Sequence, residues 1–296
     1  MDRVSLAIVI LSFNGRDSTL ACIDSVKSAK KNNISLRIIV VENASSDGSL
    51  KALQKVKDID LIENHQNLGF SGGMNKGIEY GLRHNASHIM LLNNDTVIDE
   101  DLLINTVKAS IKADIISPKI YFFAGHEFHK ERYQKADLGK VIWYSGGSID
   151  WANILGIHIG VDKVDIGQFN KVKEITFATG CCILIKKQVF KKIGLLDEKY
   201  FLYLEDMDFC YRVQKAGFKI LFDPKCMLWH KNASAAGGSG SKLQEYYFTR
   251  NRLLFAFKHA PLRTKAAVLK QAFGDISNPV RRQALFDFLT FHYGKR

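Results

Sequence analysis

Three acids stand within four residues at Glu205, Asp206 and Asp208, after the apolar approach Phe201-Leu202-Tyr203-Leu204. In an enclosed setting a carboxylate can take the proton from an attacking hydroxyl, and Asp206 is the candidate. On the residues alone, structural salt bridging accounts for the run as well. Another carboxylate, Asp95, closes Leu91-Leu92-Asn93-Asn94-Asp95 at the mouth of a buried strand. There it is costly unless solvated, paired or bound to a cation. Hard cations such as Mg²⁺ take oxygen ligands and bridge to substrate phosphates, so a divalent metal site competes with a plain turn cap. Trp229-His230 offers an imidazole, a type more often satisfied structurally than used as a ligand. The segment Asn67-Leu68-Gly69-Phe70-Ser71-Gly72-Gly73-Met74-Asn75-Lys76-Gly77 permits close backbone approach and opens a helix whose amides suit an anion. It matches neither the GxGxxG nor the GxxxxGK[ST] fingerprint.

Positioning these groups requires a scaffold, and the first 120 residues supply one by alternating two periods. Short Ile/Val/Leu-rich runs at 4–11, 36–41, 60–62 and 88–92 predict buried strands. Helical stretches lie between and after them at 18–30, 49–57, 72–83 and 100–112, with Asp47 and Asp99 placed to cap two of them. Such alternation implies an α/β fold with a mostly parallel central sheet flanked by helices. Ligands then sit beyond the carboxyl ends of the strands, where Ser12-Phe13-Asn14, Glu42-Asn43 and Asn93-Asn94-Asp95 fall. Residues 124–173, rich in Gly, aromatics and His, predict an inserted loop-and-hairpin region. A strand is expected at 175–185, then a short helix.

Beyond Gly240 the pattern is helical, with Pro261 and Pro279 as breakers. Leu243, Tyr246, Tyr247, Leu254 and Phe257 share one face, and Leu285, Phe288 and Leu289 another. Much of the chain's net charge of +12 sits in this C-terminal segment, which suggests an anionic partner. The longest aliphatic run, Leu6 to Leu11, is far short of the ~20 residues a bilayer span needs, and no secretory leader is evident. Five cysteines without metal-knuckle spacing predict reduced, mostly buried thiols and a cytoplasmic location.

In order, the chain carries Ser-Phe-Asn, Val-Glu-Asn-Ala-Ser-Ser-Asp-Gly-Ser, Asn-x-Gly-Phe-x-x-Gly-x-Asn, Leu-Asn-Asn-Asp, Thr-Gly-Cys-Cys, Glu-Asp-x-Asp and Trp-His, then Tyr-Tyr-x-x-Arg-Asn. This series resembles the family 2 glycosyltransferases, particularly the rhamnosyltransferase-like branch. The resemblance implies a GT-A fold in which residues 1–240 form the catalytic domain, 1–120 the nucleotide-binding half and 121–240 the acceptor-binding half. Residues 241–296 form a basic amphipathic helical tail, either folded on the domain or held reversibly at an anionic membrane surface.

The resemblance also implies roles. Ser12, Asn14, Glu42, Asp47, Asn67, Gly69, Asn75, Asn93, Asn94 and Gly180 fall on the donor side. Glu42 departs from the usual Asp, and Asn93 from the first acid of the metal motif. Asp95 and His230 would hold Mg²⁺ or Mn²⁺. Asp206 would be the base of an inverting displacement, with Glu205 and Asp208 either orienting the acceptor or holding basic groups.

By the same resemblance the donor is a nucleotide-diphosphate sugar, with dTDP-rhamnose first. A UDP-hexose or galactofuranose transferase is the alternative. The acceptor would be a saccharide or lipid-linked saccharide of a surface polysaccharide, with the protein cytoplasmic or peripheral on the inner membrane face. A dehydrogenase or nucleotidyltransferase would need a phosphate fingerprint that Leu11-Ser12-Phe13-Asn14-Gly15 does not supply. A non-catalytic membrane or nucleic-acid binder would leave the acids at 95 and 206 unexplained, so no nucleic-acid partner is expected.

Overall fold

The computed structural model describes residues 3–232 and 240–296. The aliphatic runs of the first half pair as parallel strands: β1 (Val4–Ser12) lies between β2 (Ile34–Glu42) and β4 (His88–Asn93), and β3 (Asp60–Glu63) adds to β2. Between them run α1 (Arg16–Ser28), the short α2 (Ser49–Leu53) and α3 (Gly69–Arg83). Every residue from Leu6 to Ile10 is fully buried, because helices cover both faces of the sheet. Helix α3 approaches closely through Gly73, Gly77 and Gly81, where a Cβ would strike Leu11, Val9 and Ile89. Register sets Ser12 opposite Glu42, and Glu42 opposite Glu63, so the polar strand ends share one edge.

The sheet continues past β4 through β11 (Cys182–Lys186), antiparallel to its neighbours, to β6 (Ile115–Phe122), β12 (Ile220–His230) and β10 (Lys173–Glu174). β5 (Thr96–Ile98) pairs with β12 and β7 (Ile142–Tyr144) with β6, giving ten strands among the described residues. A separate hairpin joins β8 (Gly147–Asp150) and β9 (Leu155–His158). α4 (Leu102–Ala109), α5 (Lys187–Ile193) and α6 (Glu205–Lys215) complete this part. Strands β6 and β12 are absent from the sequence-based expectation. The expected strand at 175–185 is interrupted: Thr179 and Gly180 leave the ladder, and the Gly180 N–H bonds to the Asp206 carboxylate instead.

The C-terminal segment forms α7 (Lys242–His259), α8 (Leu262–Gly274) and α9 (Pro279–Leu289). Pro261 and Pro279 fall at helix starts, where a missing N–H costs nothing. Leu253, Leu254, Phe255, Leu285 and Phe288 share one apolar core with the sheet, so the tail packs on the domain. Leu243, Phe257 and Leu289, which share helix faces with these residues in the sequence, are exposed. No helix among the described residues is long and apolar enough to cross a membrane. All five cysteines are buried and free.

Candidate active site

Antiparallel pairing of β5 with β12 sets His230 opposite Thr96, and the Lys231 N–H donates to the Asp95 carbonyl at 2.8 Å. His230 Nε2 thereby lies 3.0 Å from Asp95 Oδ1, although the two are 135 positions apart. Both residues are buried, and the Trp143 ring stands edge-on to the imidazole at 4.6 Å. Nδ1 of His230 has no hydrogen-bond partner among the described residues. With metal–ligand distances of ~2.1 Å, adjacent ligands at right angles are ~3 Å apart, which this pair matches. No cluster of three or more His, Cys, Asp or Glu that could hold an ion exists among the described residues. The pair therefore fits Mg²⁺ or Mn²⁺ when substrate phosphates supply further oxygens.

Across the cavity, Asp206 stands in the first turn of α6. Its Oδ2 accepts the Gly180 N–H at 2.9 Å and its Oδ1 the Met207 N–H at 2.8 Å. Gly180 is held there because its neighbour Cys181 accepts the Asn93 N–H at 2.8 Å, anchoring the turn to β4. A Cβ at position 180 would stand 3.3 Å from the Phe70 ring and 3.5 Å from Asp206 Cβ. Burial pushes the Asp206 carboxyl up, and the amide donors hold it back. Burial and then the Asp206 charge push Glu205 well above the usual carboxylate range, and Glu205 Oε2 is buried without a partner among the described residues. Of the two adjoining acids Glu205 is raised the more, and the amide donors favour the charged form on Asp206.

Asp95, His230, Glu205 and Asp206 line one cavity of about 530 Å³, together with Asn67, Gly69, Asn93, Asn94 and Gly180. Ser12, Asn14, Glu42 and Asp47 do not line it, and their side chains tie together the loops that follow β1 and β2. Ser12 Oγ bonds Thr19 Oγ1 at 3.1 Å, and Asn14 Oδ1 accepts the Ser46 N–H at 2.8 Å. Glu42 is buried with both oxygens turned to its own loop, accepting the Ala44 and Ser45 amides at 3.1 and 2.8 Å. Glu42 thus shapes its own loop. Asp47 accepts the Ser49 N–H, the expected helix start, and the first amide of α1 at Arg16 as well, both at 3.0 Å. Asn75 does not line the cavity either: it bonds the Leu196 carbonyl and Glu198 at 3.0 and 2.9 Å.

Asp208 is fully buried and does not line the cavity. Its Oδ1 accepts from Lys258 and His259 at 2.6 and 2.7 Å, and its Oδ2 from Arg212 at 2.7 Å. Burial raises this carboxyl, but the three basic groups outweigh it and hold Asp208 below the usual range. An acceptor-side role for Asp208 gives way to holding basic groups.

Sequence reasoning set Asn43, whose amide bonds Asn64 and Asn67 at 3.0 Å and which lines the cavity, at a polar strand end without a role of its own. It also missed the roof formed by Trp143, His158 and Phe177. Burial pushes His158 down to about 4, so it is neutral and its Nδ1–H donates to the Trp143 carbonyl at 3.3 Å. The aromatic and His content of 124–173 was the available signal.

With this geometry in hand, residues 7–194 match the family described as Glycosyl transferase family 2. The chain is 30% identical over 185 residues to the low-salt glycan biosynthesis hexosyltransferase Agl10 of Haloferax volcanii, covering 62% of this chain and 54% of that protein. It is 24% identical over 225 residues to the poly-beta-1,6-N-acetyl-D-glucosamine synthase of Staphylococcus aureus strain COL, covering 75% and 48%. The chain thus spans about half the length of these relatives. Among solved structures, GalNAc-T7 with UDP, GalNAc and Mn²⁺ superposes with a TM-score of 0.63 at 16% identity, over 98% of this chain and 58% of the other. Staphylococcus aureus TarS (residues 1–349) with UDP-GlcNAc gives 0.58 at 13%, over 96% and 80%. These likenesses establish the GT-A architecture, and the family match places the chain among the glycosyltransferases of family 2.

Proposed function

We propose that the chain moves a sugar from a nucleotide-diphosphate donor to an acceptor hydroxyl in a single inverting displacement. The observation that carries this reading is that Asp206, half-buried and held by two amide donors, and the Asp95–His230 pair line one cavity. Asp206 takes the hydroxyl proton while the acceptor oxygen bonds to the anomeric carbon and the carbon–diphosphate bond breaks. Glu205 is buried, and burial and the Asp206 charge raise its carboxyl, so it is poorly suited to be a nucleophile, which disfavours retention through a covalent intermediate. It is placed instead to orient the acceptor. A Mg²⁺ or Mn²⁺ ion bound at Asp95 and His230 would offset charge on the departing diphosphate. Asn67, Gly69, Asn93, Asn94 and Gly180 contact the donor, and Ser12, Asn14, Glu42 and Asp47 support the loop beneath it.

In this reading residues 1–240 are the catalytic domain, with the nucleotide half at 1–120 and the acceptor half at 121–240, and residues 241–296 are its helical tail. Exposed Leu262, Phe286 and Phe291, in a segment rich in Lys and Arg, support reversible attachment of that tail to an anionic membrane on its cytoplasmic face. The acceptor is then a saccharide or lipid-linked saccharide of a surface polysaccharide. dTDP-rhamnose is the first donor to test, on the motif resemblance. A UDP-linked hexose is the second, since the relatives named above are a hexosyltransferase and an N-acetylglucosamine polymer synthase.

Titrating a panel of nucleotide-diphosphate sugars with and without Mg²⁺ or Mn²⁺ tests the reading. Binding of one donor, strengthened by the ion and weakened by Asp95→Ala, supports it. A folded chain that binds no member of the panel sinks it.

A further inference from the structure

The loop at residues 200–204, which delivers Asp206 to the cavity, has an improbable backbone. Phe201, Tyr203 and Leu204 have φ of +57°, +69° and +66°, a region that non-glycine residues occupy only where their surroundings over-determine it. The surroundings here come largely from α7. Asn251, fully buried, directs its Nδ2 at three carbonyls of the loop: Tyr200 at 2.7 Å, and Leu202 and Tyr203 at 2.8 Å. Its Oδ1 accepts from Arg250 Nε and Nη2 at 3.0 and 2.9 Å, which fixes which end of the amide faces the loop. The buried Arg250 also donates to the Lys199, Tyr200 and Gly294 carbonyls. The carbonyl of Phe201, which Asn251 does not touch, accepts the Phe70 amide of α3 at 2.6 Å. One loop therefore joins the donor motif that opens α3, the acid that opens α6 and the amide of α7.

We propose that Asn251 is a positioning residue for the transfer reaction: by holding the carbonyls of residues 200, 202 and 203 on one amide, it sets Asp206 against the donor cradle. This rests on Asp206 being the base. The packed core of α7 needs no such amide, since Leu253, Leu254, Phe255 and Ala256 already bury the helix against the sheet. What the amide adds is direction: two N–H groups shared among three carbonyls, supplied by the residue type whose other end accepts from a guanidinium.

The test is Asn251→Asp, which puts an oxygen in front of the three carbonyls, with Asn251→Gln as a second variant that keeps the amide on a longer stem. Turnover is read as UDP released from UDP-N-acetylglucosamine, or dTDP from dTDP-rhamnose, whichever the parent chain consumes. Binding is read with UDP or dTDP and Mn²⁺. Because a displacement of ~1 Å from the reacting geometry costs on the order of 10²-fold, Asn251→Asp should lower kcat by about that factor. Nucleotide Kd should move far less. In an Asp206→Asn background the same change should cost little more, since the two residues act through one group. Parallel loss of kcat and nucleotide affinity, a loss that adds fully to that of Asp206→Asn, or absence of a cooperative melt in both variants overturns the proposal. If Asp206→Asn alone leaves turnover intact, the base assignment fails instead.

Discussion

The nucleotide side of the cleft and the base side use the same kinds of residue, held by different means. On the nucleotide side, Asn14, Glu42 and Asp47 bond to amides of the two loops that carry them, within residues 14–49. Ser12 bonds Thr19, seven positions on. On the base side, Asp206 is held by an amide 26 positions earlier, and its loop by an asparagine 48 to 51 positions later. The first arrangement links the loops at the ends of β1 and β2, which parallel pairing of two successive βα units sets side by side. The second exists only after distant elements have packed, so its residues do not announce their partners.

If that contrast is right, the largest effect on turnover belongs to Asp206→Asn. It should keep donor affinity and lose about 10²–10⁴ in kcat, the usual worth of a general base. In the parent chain kcat/KM should fall on the acid side as Asp206 protonates, at a pH above the ordinary aspartate range because burial raises it. Lost donor binding in a folded Asp206→Asn chain would remove it from the base role. Next comes Asp208→Asn, which leaves Arg212, Lys258 and His259 without their carboxylate. A loss of about 3 kcal/mol in urea unfolding is expected, with acceptor KM unchanged. Because the folded Asp208 carboxyl lies below its usual range, its contribution is present at neutral pH and lost as pH falls through that lowered value. A raised acceptor KM at full stability would restore Asp208 to the acceptor side.

Gly69→Ala comes third. With φ at +74° and a Cβ placed 2.4 Å from the Phe201 carbonyl oxygen, it should cost about 1–3 kcal/mol in thermal or urea unfolding. It strains a point where the two sides touch. The smallest effect is expected from Glu42→Gln. One of its two amide bonds is weakened, for roughly 1 kcal/mol, with donor affinity nearly intact. A large affinity loss at unchanged stability would show that Glu42 reaches the nucleotide directly.

Legibility divides along the same line. Strands β1 to β4 and helices α1 and α3 lie within a few residues of their expected limits, because buried parallel strands write continuous aliphatic runs. Strands β6 and β12 were missed because Pro118-Lys119 and Asp223-Pro224-Lys225 break those runs. Lys119 is tolerated in the interior only because Asp165 and Asn170, from the distant insertion, each meet its ammonium at 2.7 Å. Asp95, His230 and Asp206 could be picked out by motif order, and the fold brings all three to one cavity. The character of Asp208 could not be read, since its partners Lys258 and His259 lie 50 and 51 positions on. Trp143 and His158 carry no local mark of being a roof, which only the folding of the insertion over β12 makes them.

The bond from Arg250 to the Gly294 carbonyl bears on how the enzyme comes into being. The parallel strands of the first half can pair without that bond, but the loop at residues 200–204 stays unsecured until α7 and the segment around Gly294 have packed, so its shape is a late product of folding.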